Sequence, residues 1–176
     1  MDDSRANLDR VAAQATPAKE TKFGELESAQ FGVRTICEAR RLVEFLASIC
    51  PLLEIPSIGL MELLINSIEH GNLGIDYEMK TMLLESGSLA DEIDRRMALP
   101  EFRDRRVVVD FEQDRDGVRI SIKDEGDGFD PSPYLADEVA VSDHSHGRGI
   151  FLARHTGFAS IEYTDGGRRV VVTLDR

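Results

Sequence analysis

In the stretch Glu62–Gly71 (ELLINSIEHG), Glu62, Asn66, Glu69 and His70 fall at relative positions 0, 4, 7 and 8. On a helix this spacing lines them up as one polar stripe beside an apolar face. A carboxylate such as Glu62 can take the proton of a serine or water hydroxyl, which is not released unaided at neutral pH. Glu69 reads as an ordinary solvated residue of that stripe. A second cluster, Asp124-Glu125-Gly126-Asp127-Gly128, follows an alternating apolar run. Its glycines let the backbone approach a flat ligand or take positive φ, and an acidic residue at a strand end can accept a hydrogen bond from an exocyclic amine. The third cluster is His146-Gly147-Arg148-Gly149, ahead of a short helical pattern. Free N–H groups at a helix start, together with one guanidinium, suit an anion. No Lys-Ser/Thr follows these glycines, so they are not a P-loop, and no parallel strand-helix-strand unit surrounds them as a dinucleotide fingerprint requires.

Periodicity defines the elements that must position these clusters. Residues 1–22 carry scattered charge without a sustained period and are expected to be a flexible tail before a folded domain at 23–176. Residues 29–34 alternate weakly, as an edge strand does. Thr35 with Glu38 makes a capping box for a helix whose face is Ile36, Ala39, Leu42, Val43, Leu46 and Ala47, ending before Pro51. Pro56-Ser57 opens a second helix that turns Ile58, Met61, Leu64, Ile65 and Ile68 to the core and stops at Gly71-Asn72. Residues 73–106 read as a charged excursion with helices at 77–85 and 88–98. The period then becomes two: Val107, Val109 and Phe111, a turn at Asp116-Gly117, then Val118, Ile120 and Ile122. A helix over 148–156 and a hairpin of 160–164 with 168–174 complete the chain. Helices first and antiparallel strands later predict an α+β two-layer sandwich, a mixed, mainly antiparallel sheet packed against helices.

The 176 residues suffice for one domain with a real core. Twenty-one Lys+Arg against 33 Asp+Glu leave a net charge of −12, which excludes a bulk-electrostatic grip on nucleic acid or an anionic membrane. No export signal or membrane span is expected: the start is acidic, and the apolar stretch at 58–68 is interrupted by Glu62 and Asn66. Cys37 and Cys50 fall at opposite ends of the first helix, too far apart for a disulfide, and are expected to be reduced and buried, which suits a cytoplasmic protein.

E-x-x-x-N on a helix, D-x-G-x-G after a strand, G-x-G opening a helix and a closing hairpin occur here in that order. In this the sequence resembles the GHKL ATPase superfamily, which includes gyrase and the histidine kinases and carries a Bergerat-type ATP-binding fold. Glu62–Gly71 stands as its N box, Asp124–Gly128 as its first glycine box and Gly147–Leu152 (GRGIFL) as its second. Within the superfamily the sequence is most similar to the bacterial anti-sigma-factor serine/threonine kinases, whose N box reads E-x-x-x-N-x-x-x-H-G. The resemblance spans about 27 to 174.

The resemblance implies ATP and Mg²⁺ as cofactors. It places Asp124 on the adenine amino group, Gly126 and Gly128 around the base, Asn66 on the Mg²⁺ that bridges the phosphates, and Gly147, Arg148 and Gly149 beneath the phosphates. It includes His70 in the nucleotide-binding set and makes Glu62 the catalytic base facing the γ-phosphate. Phosphorylation of a serine on a STAS-type anti-sigma-factor antagonist is implied, with a sigma factor as a further partner and a homodimer as assembly. A histidine kinase would need an acceptor histidine on a dimerisation helix, whereas His70, His144, His146 and His155 all lie inside the domain. The 73–106 excursion departs from compact anti-sigma kinases. It resembles ATP-binding domains that work beside PP2C-type phosphatases under response-regulator control. The competing reading is a regulatory module that holds its partner and uses ATP only as a structural ligand.

Overall fold

A computed structural model describes residues 26–50, 54–135 and 149–176. Five strands form one sheet in the order β1-β2-β3-β5-β4, with β1 Ser28–Val33, β2 Val107–Gln113, β3 Gly117–Lys123, β4 Ser160–Thr164 and β5 Arg169–Asp175. All four pairings are antiparallel, so the parallel component expected of a mixed sheet is absent among the described residues. Register follows the alternation. Phe31 pairs with Val109, Val109 with Ile122 and Ile122 with Val170, which puts the apolar residues of neighbouring strands on one face.

Helices cover that face. In α1, Ile36–Ile49, both halves of the predicted capping box are made: Thr35 Oγ1 accepts from the Glu38 amide at 3.0 Å, and Glu38 Oε2 accepts from the Thr35 amide at 3.1 Å. Its buried residues Ala39, Leu42, Val43 and Leu46 share one core with Val107, Val109, Phe111, Ile120, Ile122 and Val172 of the sheet. Phe111 is fully enclosed, and truncating it to Ala is worth about 3–5 kcal/mol on general grounds. Cys50 is buried but Cys37 is exposed, against the expectation that both are inside, because Cys37 falls off the apolar stripe of α1.

The second helix, α2, runs Ser57–Asn66 and then widens into a π turn, Ser67–Asn72, where the Leu73 amide bonds back five residues to the Ile68 carbonyl at 2.9 Å. The charged excursion folds as the two expected helices, α3 Tyr77–Glu85 and α4 Leu89–Ala98. A short α5, Ser132–Leu135, precedes α6, Gly149–Arg154, and a 3₁₀ turn at Asp165–Gly167 joins β4 to β5. Among the described residues no helix is long and apolar enough to cross a membrane.

Candidate functional site

The end of β3 delivers Asp124 into a pocket made almost entirely of backbone. Its amide donates to the Arg168 carbonyl at 3.0 Å, its Oδ1 accepts from the Gly126 amide at 2.9 Å, and the residue is 7% exposed. Burial pushes its carboxyl above the usual carboxylate range, opposed by the Gly126 amide and by the charge of Arg168. The Gly126 amide engages Oδ1, the oxygen turned toward its own loop. Tyr163 of β4 lies close by. Burial, with the Asp124 charge second, raises its hydroxyl, which stays protonated.

Three glycines permit this pocket. A β-carbon on Gly71 would overlap the Asp124 carboxyl, standing 2.7 Å from each oxygen, and one on Gly126 would strike the Gly71 carbonyl. Gly128 has φ +81 and no room for a side chain against the Gly166 carbonyl. The closeness predicted for Gly126 and Gly128 is therefore spent on neighbouring backbone, with positive φ needed only at Gly128. Asn72 ties the two halves together, its Oδ1 accepting from the Glu125 amide at 2.8 Å. On the far side the Phe129 amide donates to the Gly166 carbonyl at 3.0 Å. Gly71, Asn72 and the Asp165-Gly166-Gly167 turn were not among the predicted site residues. Gly71 closes the N-box pattern but carries no role of its own in the sequence, Asn72 reads as part of a helix end and 165–167 as an ordinary hairpin turn, and their long-range contacts bring them to Asp124.

Glu62 and Asn66, one turn apart on α2, meet at the first residue of α6. A β-carbon on Gly149 would stand 2.9 Å from Glu62 Oε2, 3.1 Å from Asn66 Nδ2 and 3.4 Å from Asn66 Oδ1. Gly59 lets the helices close, since any side chain there would strike Thr156 Oγ1 and come within 3.2 Å of the Ala153 backbone. The Glu62 carboxylate and the Asn66 amide oxygen are the hard donors that Mg²⁺ takes, and the glycine at the helix start lets the backbone of α6 come up against them, so the residues fit the ion. Glu62 also borders a groove of about 580 Å³ between α1 and α2, lined by Val43, Ala47, Ile58 and Met61.

His70 shares the π turn, but its ring nitrogen is engaged by the Ile75 carbonyl, and burial holds its pKa below 6.5. Glu69 corrects the solvated reading given to it: it is 3% exposed and paired with Lys80 of α3, Nζ to Oε2 2.6 Å. Its partner lies in the excursion, outside the helix that suggested a solvent-facing stripe. Gly147 and Arg148 of the predicted phosphate cradle, with His144 and His146, lie outside the described residues. His155 is exposed, bonded to the Phe151 carbonyl at 2.8 Å.

A family model described as a histidine kinase-like ATPase domain matches residues 50–174. Comparison with curated proteins and with solved structures returned no match. The matched span takes in the N-box helix, the sheet from β2 to β5, the Asp124 pocket and Gly149, which is most of the sequence and all of the site described above: the chain belongs to the histidine kinase-like ATPase domain family.

Proposed function

We propose that this protein is an ATP-dependent serine/threonine kinase, acting as an anti-sigma factor or partner-switching regulator by phosphorylating a serine of a STAS-type anti-sigma-factor antagonist. The observation that carries this reading is the convergence of Glu62 and Asn66 on Gly149. It supports phosphoryl transfer because a carboxylate base then stands one helical turn from an oxygen donor for the metal. Mg²⁺, when bound there, supplies charge neutralisation at the phosphates.

The remaining steps belong to this chain's own residues. Asp124 Oδ2 accepts a hydrogen bond from the adenine amino group, while the Gly126 amide keeps Oδ1 occupied and the carboxylate oriented. Glu62 takes the proton of the acceptor serine as its oxygen bonds to the γ-phosphorus, the bond to the bridging oxygen breaks and ADP departs. The apolar groove beside Glu62, with Ile58 67% exposed, favours a protein as the acceptor over water.

The test is to incubate the protein with labelled ATP, Mg²⁺ and candidate STAS-domain proteins. Serine-linked label that is lost in Glu62→Gln while nucleotide binding persists is the expected result. Tight ATP binding without transfer to any candidate overturns the kinase in favour of the binding module.

A further inference from the structure

We propose that the α3–α4 hairpin is a brace for the base pocket, and that Lys80, Arg96 and Arg105 are positioning residues for base recognition. This rests on the reading of the Asp124 pocket as an adenine site.

The π turn and the loop behind it present three successive carbonyls, those of Asn72, Leu73 and Gly74. Two guanidiniums from the excursion take all three. Arg96 Nη1 donates to Leu73 O at 2.6 Å and to Gly74 O at 2.9 Å, and Arg105 Nη1 donates to Asn72 O at 3.0 Å. Lys80 adds the ion pair to buried Glu69, whose own carbonyl accepts from the Ile75 amide at 2.9 Å. The same loop then grips the pocket from its other side. Asn72 Oδ1 holds the Glu125 amide, Gly71 backs directly onto the Asp124 carboxyl, and Glu125 Oε1 returns to the Arg106 amide at 2.8 Å. Excursion, π turn and glycine box form one continuous chain of contacts.

Met79 and Leu83 of α3 and Leu89, Ile93 and Met97 of α4 seat the hairpin against the core, though none of them is fully buried. The charged contacts add direction to that packing, because charge-assisted hydrogen bonds to a carbonyl are stronger and more directional than neutral ones. Glu92 aims the guanidinium, its Oε1 accepting from Arg96 Nε at 2.7 Å. Arg95 provides an internal control: it bonds the same Glu92, but its side chain is 58% exposed and it makes no contact with the loop.

The experiment measures ATP and GTP affinity of the full chain together with amide hydrogen exchange, in the wild type and in Arg96→Ala, Arg96→Lys, Lys80→Met, Glu69→Gln/Lys80→Met and Arg95→Ala. Arg96→Ala and Lys80→Met are expected to weaken ATP about tenfold, in the range usual for coupled sites, and to narrow the ATP-to-GTP preference. Exchange should accelerate at the Ile75 and Glu125 amides while β2 stays protected. Arg96→Lys, which retains the charge without the fork, should fall between wild type and Ala. The Glu69→Gln/Lys80→Met pair, which leaves no unpaired buried carboxylate, should keep the loss seen in Lys80→Met because the tie from α3 to the π turn is still missing, whereas full recovery overturns the role given to Lys80; Arg95→Ala should match the wild type. Unchanged base preference and unchanged Glu125 protection in Arg96→Ala overturn the brace while leaving the adenine pocket standing. Loss of protection throughout β2 makes the hairpin a general stabiliser and also overturns it. A wild type that binds ATP and GTP equally overturns the pocket reading, and the brace falls with it.

Discussion

At the Asp124 end the chain meets itself backbone to backbone, with Gly71 against Asp124, Gly126 against the Gly71 carbonyl and Gly128 against the Gly166 carbonyl, whereas at the Glu62 end two side chains from α2 converge on Gly149 across a helix contact opened by Gly59. Backbone contacts of this closeness leave little freedom. They suit the recognition of a rigid, planar group whose shape does not change. Side chains one turn apart on a helix keep rotamer freedom and can follow atoms that move during a reaction. On the function proposed above, the contrast makes base selection and chemistry separable, so that damage at each end should produce a different failure.

The largest effect is expected at the Glu62 end. Removing a general base lowers transfer by about a hundredfold to ten-thousandfold, so Glu62→Gln should abolish most serine labelling while ATP affinity changes little. Single-turnover transfer and equilibrium binding, measured on the same preparation, check this; a parallel loss of binding would show that the two ends are not separable. Asp124→Asn should do the converse. Asn keeps an oxygen for the Gly126 amide but loses the charge that strengthens the bond to the adenine amine, which is worth about a tenfold to hundredfold loss for ATP. GTP should be nearly unaffected. Equal losses for both nucleotides in a competition assay would break the assigned contact.

A smaller effect is expected from backbone crowding. Gly71→Ala drives a methyl group into the Asp124 carboxyl, and overpacking of this kind costs about 1–3 kcal/mol. A melting temperature lower by roughly 3–10 °C follows for a chain of this size, with ATP binding weakened more than transfer from bound ATP. Gly59→Ala is the matching change at the other end. It should slow transfer while sparing base preference, since it separates α2 from α6 without touching Asp124. Thermal melts with paired binding and transfer assays on both variants sharpen the comparison.

Much of this arrangement was legible from local pattern. The Thr35–Glu38 capping box and the period-two runs at 107–111 and 118–122 are local features, and each appears where periodicity puts it, but the core face of α2 is rotated from the expected one: Leu60 and Leu63 are buried, whereas Ile58 is 67% exposed. Contacts far apart in the sequence were not legible. Glu69 shares the stripe of Glu62, but its surroundings are decided by Lys80 eleven residues on, and a helical wheel does not contain Lys80. The π turn was equally hidden. It carries Gly71 against Asp124, and although Gly71 ends the N-box pattern, nothing local ties it to Asp124. The Asp165-Gly166-Gly167 turn has the composition of a hairpin loop, and its role as one wall of the pocket appears only through the Phe129 and Arg168 contacts.

The smallest predicted effect is one of acidity, and it tests how closed the Asp124 end is. Burial holds His70 below its ordinary value of 6.5, so the unfolded chain binds a proton that the folded chain refuses. The stability contributed by neutral His70 is present above pH 6.5 and is lost as pH falls toward its lower folded value. Buried Asp124 works in the opposite sense: its folded pKa is raised, so protonation relieves the fold of a buried charge while removing the acceptor that adenine needs. Melting temperature measured against pH in wild type, His70→Gln and Asp124→Asn resolves the two. His70→Gln should flatten the decline just below pH 6.5, and Asp124→Asn should remove a stabilising contribution that grows as pH falls further. ATP affinity in the wild type should weaken over that lower range even where the fold is intact. Identical melting profiles in all three proteins would mean that neither His70 nor Asp124 is held out of water as a closed recognition end requires, and that half of the contrast would not survive.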